Sequence, residues 1–147
     1  MAGIQELFSG FRASASGMAA ERARIDVIAR NIANARTTHM PGNPEPTPYR
    51  RQVVHFEPIL RRLADGSVVG EGVRVAKVTG DFETDFSSFY DPGNPDADES
   101  GVVRMPNVDT TREMADLITA LRSYEANMKA QEHFVRMAER ALALARR

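Results

Sequence analysis

The residues that most often bind metals or catalyse reactions are few and scattered in this sequence. His39, His55 and His133 lie in a connector, a predicted strand and a predicted helix, and no two of them have metal-ligand spacing. The chain has no cysteine, which excludes disulfides, thiolate catalysis and cysteine-bound metals. No glycine-rich phosphate loop precedes a helix, and no nucleophile and base are paired. The sequence therefore predicts neither an enzyme nor a cofactor or metal site.

The densest group of oxygen ligands is the acidic stretch at residues 91–99, which reads DPGNPDADE. Calcium loops place such ligands at close spacing. This stretch, however, contains two prolines, lacks the regular ligand spacing and has no glutamate in the closing position. We interpret it as a solvated or docking loop.

The composition describes one folded domain without a bulk preference for an anionic partner. The chain has 147 residues, a net charge of −1, and 17 arginines among its 19 basic residues. Such a charge does not favour nucleic acid or a membrane surface. The arginines suit protein interfaces, although genomic base composition explains the bias equally well. No apolar run is long enough to span a membrane, and the N-terminus does not resemble a secretory signal. We expect a protein that stays in the cytosol or leaves without cleavage of such a signal.

The C-terminal residues 107–147 form a long predicted helix. Thr110 and Glu113 have capping-box spacing at its start. Apolar or interface-type residues then recur in steps of three and four, as on a coiled-coil seam. The line that is apolar at every seventh position is Met114, Leu121, Met128, Val135 and Leu142, and the residues beside it are Leu117, Tyr124 and Asn127.

Residues 4–35 form a second heptad helix. Its seam consists of Ile4, Phe8, Phe11, Met18, Ile25 and Ile32. Gly3, Gly10 and Gly17 are seven apart beside this seam, where the missing side chains predict close approach of another helix; the alternative is fraying. Asn31 and Asn34 share one face near the end. Asn31 is a candidate for fixing helix register, while Asn34 is either a similar residue or a left-handed C-cap.

The middle of the chain is predicted as a small β unit between irregular connectors. Asp65-Gly66 lies between residues 59–63, which read ILRRL, and Val68-Val69, and it is typical of a hairpin turn. The predicted fold is therefore mainly α with a small β insertion: the N- and C-terminal long helices pair as a coiled coil around a central small β unit. The segments are residues 1–36, the N-terminal heptad helix; 37–106, connector and β unit with irregular loops; and 107–147, the C-terminal heptad helix.

The predicted pairing of the two helices is antiparallel, because one runs into the β unit and the other runs out of it. Placing Ile32 level with Met114 makes Met18 meet Met128, with Phe11 opposite Val135, Ile25 opposite Leu121 and Ile4 opposite Leu142. A shift of one heptad would preserve the pattern.

Five short motifs along the chain together carry a family resemblance. Residues 29–35 read ARNIANA, which resembles the N-terminal signature of axial flagellar proteins. Residues 48–51 read PYRR, residues 90–98 read YDPGNPDAD, residues 105–109 read MPNVD, and residues 123–127 read SYEAN. Asn94 departs from the histidine expected in many relatives. Together these motifs resemble the FlgC family of flagellar basal-body rod proteins. The resemblance covers nearly the whole chain and is specific in combination, since the Asn-rich motif alone indicates only the wider rod and hook group.

The resemblance implies a structural subunit of the proximal rod that assembles through its terminal helices into a torque-transmitting axial tube for cell motility. It implies a periplasmic location, type III export without a cleaved signal peptide, and three kinds of partner: other rod proteins and further copies, the membrane-embedded ring at the rod base, and the export apparatus in transit. It implies no nucleic acid, cofactor or direct membrane insertion. The implied assembly interface comprises Ile4, Phe8, Phe11, Met18, Ile25, Asn31, Ile32, Asn34, Met114, Leu117, Leu121, Tyr124, Asn127, Met128, Val135 and Leu142.

Three alternatives stay open at this point. Another axial component of the rod and hook group would share the Asn-rich motif. An enzyme or small-ligand domain would need a pocket with convergent polar groups. A membrane-surface protein would use amphipathic helices, although acidic residues dilute the positive charge of both predicted helices.

Overall fold

In the order of the sequence, one long helix precedes the β strands and the other follows them, as the sequence predicts. The computed structural model describes residues 2–43, 45–63 and 66–145, and within them the side chains of residues 9–144. The elements in chain order are α1 (Ala2–Ala33), β1 (Gln52–Arg62), β2 (Val68–Gly80), β3 (Ser87–Tyr90), β4 (Val102–Met105) and α2 (Thr110–Ala145). This order confirms the fold class, mainly α with a small β insertion.

Within the described residues, the four strands form two separate two-stranded sheets. β1 pairs with β2 across the predicted hairpin turn, where the Leu63 amide donates to the Ser67 carbonyl at 2.8 Å. Gly66 has a φ of +84°, a left-handed conformation that glycine adopts without steric cost, whereas Asp65 lies outside the described residues. β3 and β4 are antiparallel, with Ser87 opposite Met105.

The chain folds into two compact units, each built from separated segments. Unit 1 comprises Met1–Ile25, His55–Lys77 and Thr119–Arg147, and unit 2 comprises Asp26–Val54 and Val78–Ile118. Each unit thus takes part of each helix and part of the β1–β2 hairpin. The two compact units therefore differ from the three consecutive segments expected from the sequence, because each unit combines stretches that are separated along the chain.

In unit 1 the two helices run antiparallel and in close contact. A Cβ atom on Gly10 would overlap the Phe134 ring, and one on Gly17 would lie 2.9 Å from the Asn127 amide nitrogen. Moving seven residues forward on α1, from Gly10 to Gly17, thus corresponds to moving seven residues back on α2, from Phe134 to Asn127. The two glycines permit the close approach that their spacing predicts. The contacting residues lie one position before the predicted pairs of Phe11 with Val135 and Met18 with Met128.

Unit 2 has a small apolar core around a polar centre. Val27, Ile28, Tyr49 and Val103 are buried, together with the polar residues Asn31, Asn107 and Glu113. This mixture of apolar and hydrogen-bonding groups holds the end of α1 against the start of α2.

The predicted capping box at the start of α2 is wrong in its cap residue. Asp109 is the N-cap, since its Oδ1 accepts from the amides of Thr111 at 2.9 Å and Arg112 at 3.2 Å. A carboxylate satisfies free amides of a first turn as well as threonine does, and it also suits the positive end of the helix dipole. Because Asp109 caps the helix, the Glu113 carboxylate is not required as part of a capping box.

Candidate assembly interface

The heptad line on α2 that carries the most apolar residues lies on the surface. Its members have exposed fractions between 41% and 65%. They are Met114, Leu121, Met128, Val135 and Leu142. In unit 1 the line that faces α1 is one residue earlier, where Ala120 is buried and Asn127 and Phe134 contact the glycines. The predicted seam therefore does not close within this chain, and its apolar side chains remain available for another chain.

The remaining predicted interface residues are more enclosed. On α1, four seam residues are half-buried, namely Phe11, Met18, Ile25 and Ile32. On α2, three are half-buried, namely Leu117, Tyr124 and Asn127. The side chains of Ile4 and Phe8 lie outside the described residues. The two helices of this chain therefore cover part of the α1 seam but little of the α2 line.

A shallow groove runs beside the exposed line in unit 1. It has a volume of about 380 Å³ and is lined by Met128, Gln131, Glu132, Val135, Arg136 and Glu139. Glu132 and Arg136 are paired along the helix at 3.2 Å. An apolar line with paired charges on its border is the usual composition of a helix surface that packs on a partner.

Asn31 is the centre of the buried polar network in unit 2. Its Nδ2 donates to the Gln52 carbonyl at 2.9 Å and to Glu113 Oε2 at 3.0 Å. Its Oδ1 accepts from the Tyr49 hydroxyl at 2.9 Å and from the Gln52 amide at 2.9 Å. Asn31 is only 1% exposed. One side chain thus ties α1 to β1, to the segment before it and to α2.

Glu113 receives its compensating charge from Arg51. The Arg51 Nε lies 2.7 Å from Glu113 Oε1, and the same guanidinium lies 3.6 Å from Asp81 and 3.9 Å from Asp116. Glu113 is 1% exposed, and a charge so deeply buried needs both a partner and hydrogen bonds. Arg51 and Asn31 supply them, which fixes the start of α2 in unit 2.

Asn107 continues the network in the segment before α2. Its Oδ1 accepts from the Arg51 amide at 2.8 Å, and its Nδ2 donates to the carbonyls of Asp81 at 3.1 Å and Thr84 at 3.0 Å. No feature of the sequence connects Asn107, Arg51 or Tyr49 with Asn31. Their only signal was that they fall within motifs that carry the family resemblance.

Two groups of the network have shifted pKa values. Burial raises the pKa of the Tyr49 phenol, an effect that Arg30 opposes and Glu113 reinforces. For Asp81, burial favours a higher pKa, but hydrogen bonds from Thr84 and the Glu83 amide, together with the Arg51 charge, outweigh it and lower the pKa. At neutral pH the network therefore contains a neutral phenol and an ionised Asp81.

Asn34 acts locally at the end of α1. Its Nδ2 donates to the Arg30 carbonyl at 2.9 Å, and its Oδ1 accepts from the Thr37 hydroxyl at 3.2 Å. Among the described residues only glycines have positive φ, so Asn34 is not a left-handed cap. The two asparagines of the motif therefore have different roles. Asn31 joins α1 to β1 and α2 within the chain, whereas Asn34 makes local hydrogen bonds at the end of α1.

The acidic loop mostly binds its own backbone. Asp98 Oδ1 accepts from the Ser100 hydroxyl and from the amides of Ser100 and Val102, and these bonds lower the pKa of Asp98. Asp96 accepts from the Thr38 hydroxyl at 2.5 Å and lies 3.4 Å from His39 Nδ1. Within the described ranges, histidine and acidic side chains form no group of three suited to a metal ion. No described helix has the length and apolarity needed to cross a membrane.

Two protein families match separate parts of the chain. A family described as "Flagella basal body rod protein" matches residues 11–38, and one described as "Flagellar basal body rod FlgEFG protein C-terminal" matches residues 99–144. The flagellar basal-body rod protein FlgC of Bacillus subtilis (strain 168) is 42% identical over 144 residues, covering 92% of this chain and 95% of that protein.

Two further relatives come from other bacteria. The FlgC protein of Aquifex aeolicus (strain VF5) is 44% identical over 128 residues, with 86% of this chain and 88% of that protein covered. The FlgC protein of Salmonella typhimurium (strain LT2) is 39% identical over 123 residues, with coverages of 84% and 86%. With its long terminal helices and Asn-rich motif, the chain belongs to the FlgC family of flagellar basal-body rod proteins.

Proposed function

We propose that this chain, a structural subunit of the bacterial flagellar basal-body rod, assembles into the rod through the exposed apolar line on α2 and the half-buried seam on α1. As an FlgC-family member it is a structural protein and not an enzyme. The observation that carries the assembly proposal is the line Leu121, Met128 and Val135, which stays between 41% and 45% exposed in unit 1.

The magnitude of the exposed line supports assembly. Fully burying one large aliphatic side chain stabilises by about 1.5–3 kcal/mol. Each residue of the line is already about half covered, so a partner helix would add on the order of 1 kcal/mol per residue. Four or five such residues on one subunit, repeated at each neighbour, suffice for a cooperative structure that no single contact dominates.

The wider setting extends the same proposal. Rod subunits of this kind would form an axial tube across the periplasm, contact other rod proteins and copies of this chain, and meet the membrane-embedded ring at the rod base. They would be exported through the flagellar type III apparatus without a cleaved signal peptide. Membership of the FlgC family supports this route.

The experiment compares two neighbouring substitutions on α2. Met128→Asp places a charge within the apolar line, whereas Lys129→Asp changes an exposed residue beside it. We expect both proteins to be exported, and only Met128→Asp to abolish swimming and leave no rods in electron micrographs of purified basal bodies. Burial of an unpaired carboxylate is the physical reason. Normal rods and swimming with Met128→Asp would contradict the proposed interface.

A further inference from the structure

A cleft of about 280 Å³ opens in unit 1 where both helices meet the β1–β2 hairpin. Its wall on α1 carries the small residues Ala13, Gly17 and Ala20, together with Glu21. Phe56 of β1 and Asn127 of α2 line the other sides. The cleft is therefore narrow and largely apolar, with one carboxylate in its wall.

The carboxylate of Glu21 is under-satisfied within the chain. Its Oε2 is buried and accepts no hydrogen bond from any residue that the structure describes. The ion pair that it makes with Arg24 Nη1 is 4.0 Å long, beyond hydrogen-bond distance, and the Glu21 side chain is only 18% exposed. A buried carboxylate oxygen without a donor is costly, so a donor supplied from outside would be bound favourably.

The shape and charge of the cleft together define its occupant. Apolar walls accommodate the methylene stem of a long side chain, and the carboxylate binds a cationic head. Arginine combines such a stem with a planar fork that donates to carboxylates more specifically than lysine does. An arginine side chain therefore fits both features of the site.

The chain itself presents suitable arginines on α2. Arg122 and Arg140 are exposed, and neither makes an ion pair with an acidic side chain in the described part of the chain. Arg122 directly follows Leu121, a member of the exposed apolar line. A copy that buried this line on a neighbour would bring Arg122 to the neighbour as well.

We propose that the cleft receives Arg122 from a second copy of this chain, which donates to Glu21 and places its stem against the small residues of α1. The inference rests on the proposed assembly function and names one of its contacts. In an axial assembly the contact is heterologous and not reciprocal between two copies, so each added copy offers a new cleft to the next. Repetition of the contact yields a filament or ring rather than a closed pair.

The test places a photoreactive residue in the cleft wall of the protein in flagellated cells. Phe56 is replaced by p-benzoylphenylalanine, basal bodies are purified after irradiation, and cross-linked peptides are identified by mass spectrometry. We expect a dimer of this chain joined to the α2 peptide that contains Arg122. Phe82, which is 77% exposed and does not line the cleft, receives the same residue as a control and should not cross-link to that peptide.

A charge series then examines the contact itself. Glu21→Gln keeps the size of the side chain and removes its charge, and Arg122→Gln does the same for the partner; each should lower the yield of the dimer at least fivefold. Glu125→Gln, an exposed change on α2, should leave the yield within twofold. Cross-links only to other proteins, no cross-link, or an unchanged yield with Glu21→Gln would overturn the proposal. If rods are normal in those cases, only the cleft contact fails; if Met128→Asp also builds rods, the assembly proposal itself fails.

Discussion

Replacing Asn31 by alanine should destabilise unit 2 far more than its single position in α1 suggests. The substitution removes an amide that makes four hydrogen bonds, to Tyr49, to Glu113 and to both backbone groups of Gln52. The alanine side chain can make none of these hydrogen bonds. Solvent cannot freely replace them, because Asn31 is only 1% exposed.

The expected loss of unfolding free energy depends on which hydrogen-bond partners of Asn31 remain buried after the substitution. The Tyr49 hydroxyl and Glu113 Oε2 belong to buried residues, and each group left without its partner costs about 1–3 kcal/mol. The Gln52 backbone groups lie on a half-buried strand residue and cost less, because water reaches them in part. We expect Asn31→Ala to lower the free energy of unfolding by about 3–5 kcal/mol.

Asn34→Ala is the matched control, because it changes the same residue type three positions later. Its hydrogen bonds to Arg30 and Thr37 are local, so we expect a loss of about 0.5–1 kcal/mol. Urea unfolding of the complete chain, followed by far-ultraviolet circular dichroism, gives both values. Asn31→Ala combined with Glu113→Gln should lose less than the two single changes together, since the residues share a bond. A loss for Asn31→Ala within about 1 kcal/mol of the Asn34→Ala value would refute the reasoning.

Two further outcomes are expected. Gly72→Ala should lower the free energy of unfolding by about 1–3 kcal/mol, as measured in urea titrations. Gly72 has a φ of +154°, and an added Cβ would overlap the Ser16 hydroxyl, which accepts a hydrogen bond from the Val73 amide. Gly70→Ala has nothing within 4 Å of its new Cβ and should stay within about 0.5 kcal/mol, so equal losses would contradict this explanation. Asp81, whose pKa is lower in the folded than in the unfolded chain, adds stability above its unfolded pKa, and this stability is lost as pH falls through its folded pKa. Asp81→Asn should therefore flatten the acid side of a plot of urea midpoint against pH, and parallel plots would contradict the assignment.

The sequence predicted the helices well because their signals are periodic and local. Heptad spacing and the lack of proline define both α1 and α2, and glycine at residues 10 and 17 indicated the close approach of a partner helix. The same periodicity did not reveal which line of α2 faces inward. Apolar spacing marks side chains that will be buried somewhere, but a subunit can bury them against another chain as well as against itself.

The buried network could not be predicted because its partners are distant in sequence. Glu113 looked like the closing residue of a capping box, a local explanation that left no reason to seek Asn31 at a separation of 82 residues. Asp109, adjacent to the predicted cap, performs the capping instead. The cleft beside Glu21 was equally hidden, since its walls come from four separate stretches of the chain, in α1, β1, β2 and α2.

The interleaving of the two units has a kinetic consequence. Unit 2 takes its last residues from 78–118, and unit 1 takes its last from 119–147, so neither can form until most of the chain is present. Contacts of such long separation raise the entropic cost of loop closure and slow folding. If the chain is exported as proposed, the segment that emerges first lacks the native partners that emerge later, and it would stay extended in transit. The topology itself would then delay folding until the chain reaches its place of assembly.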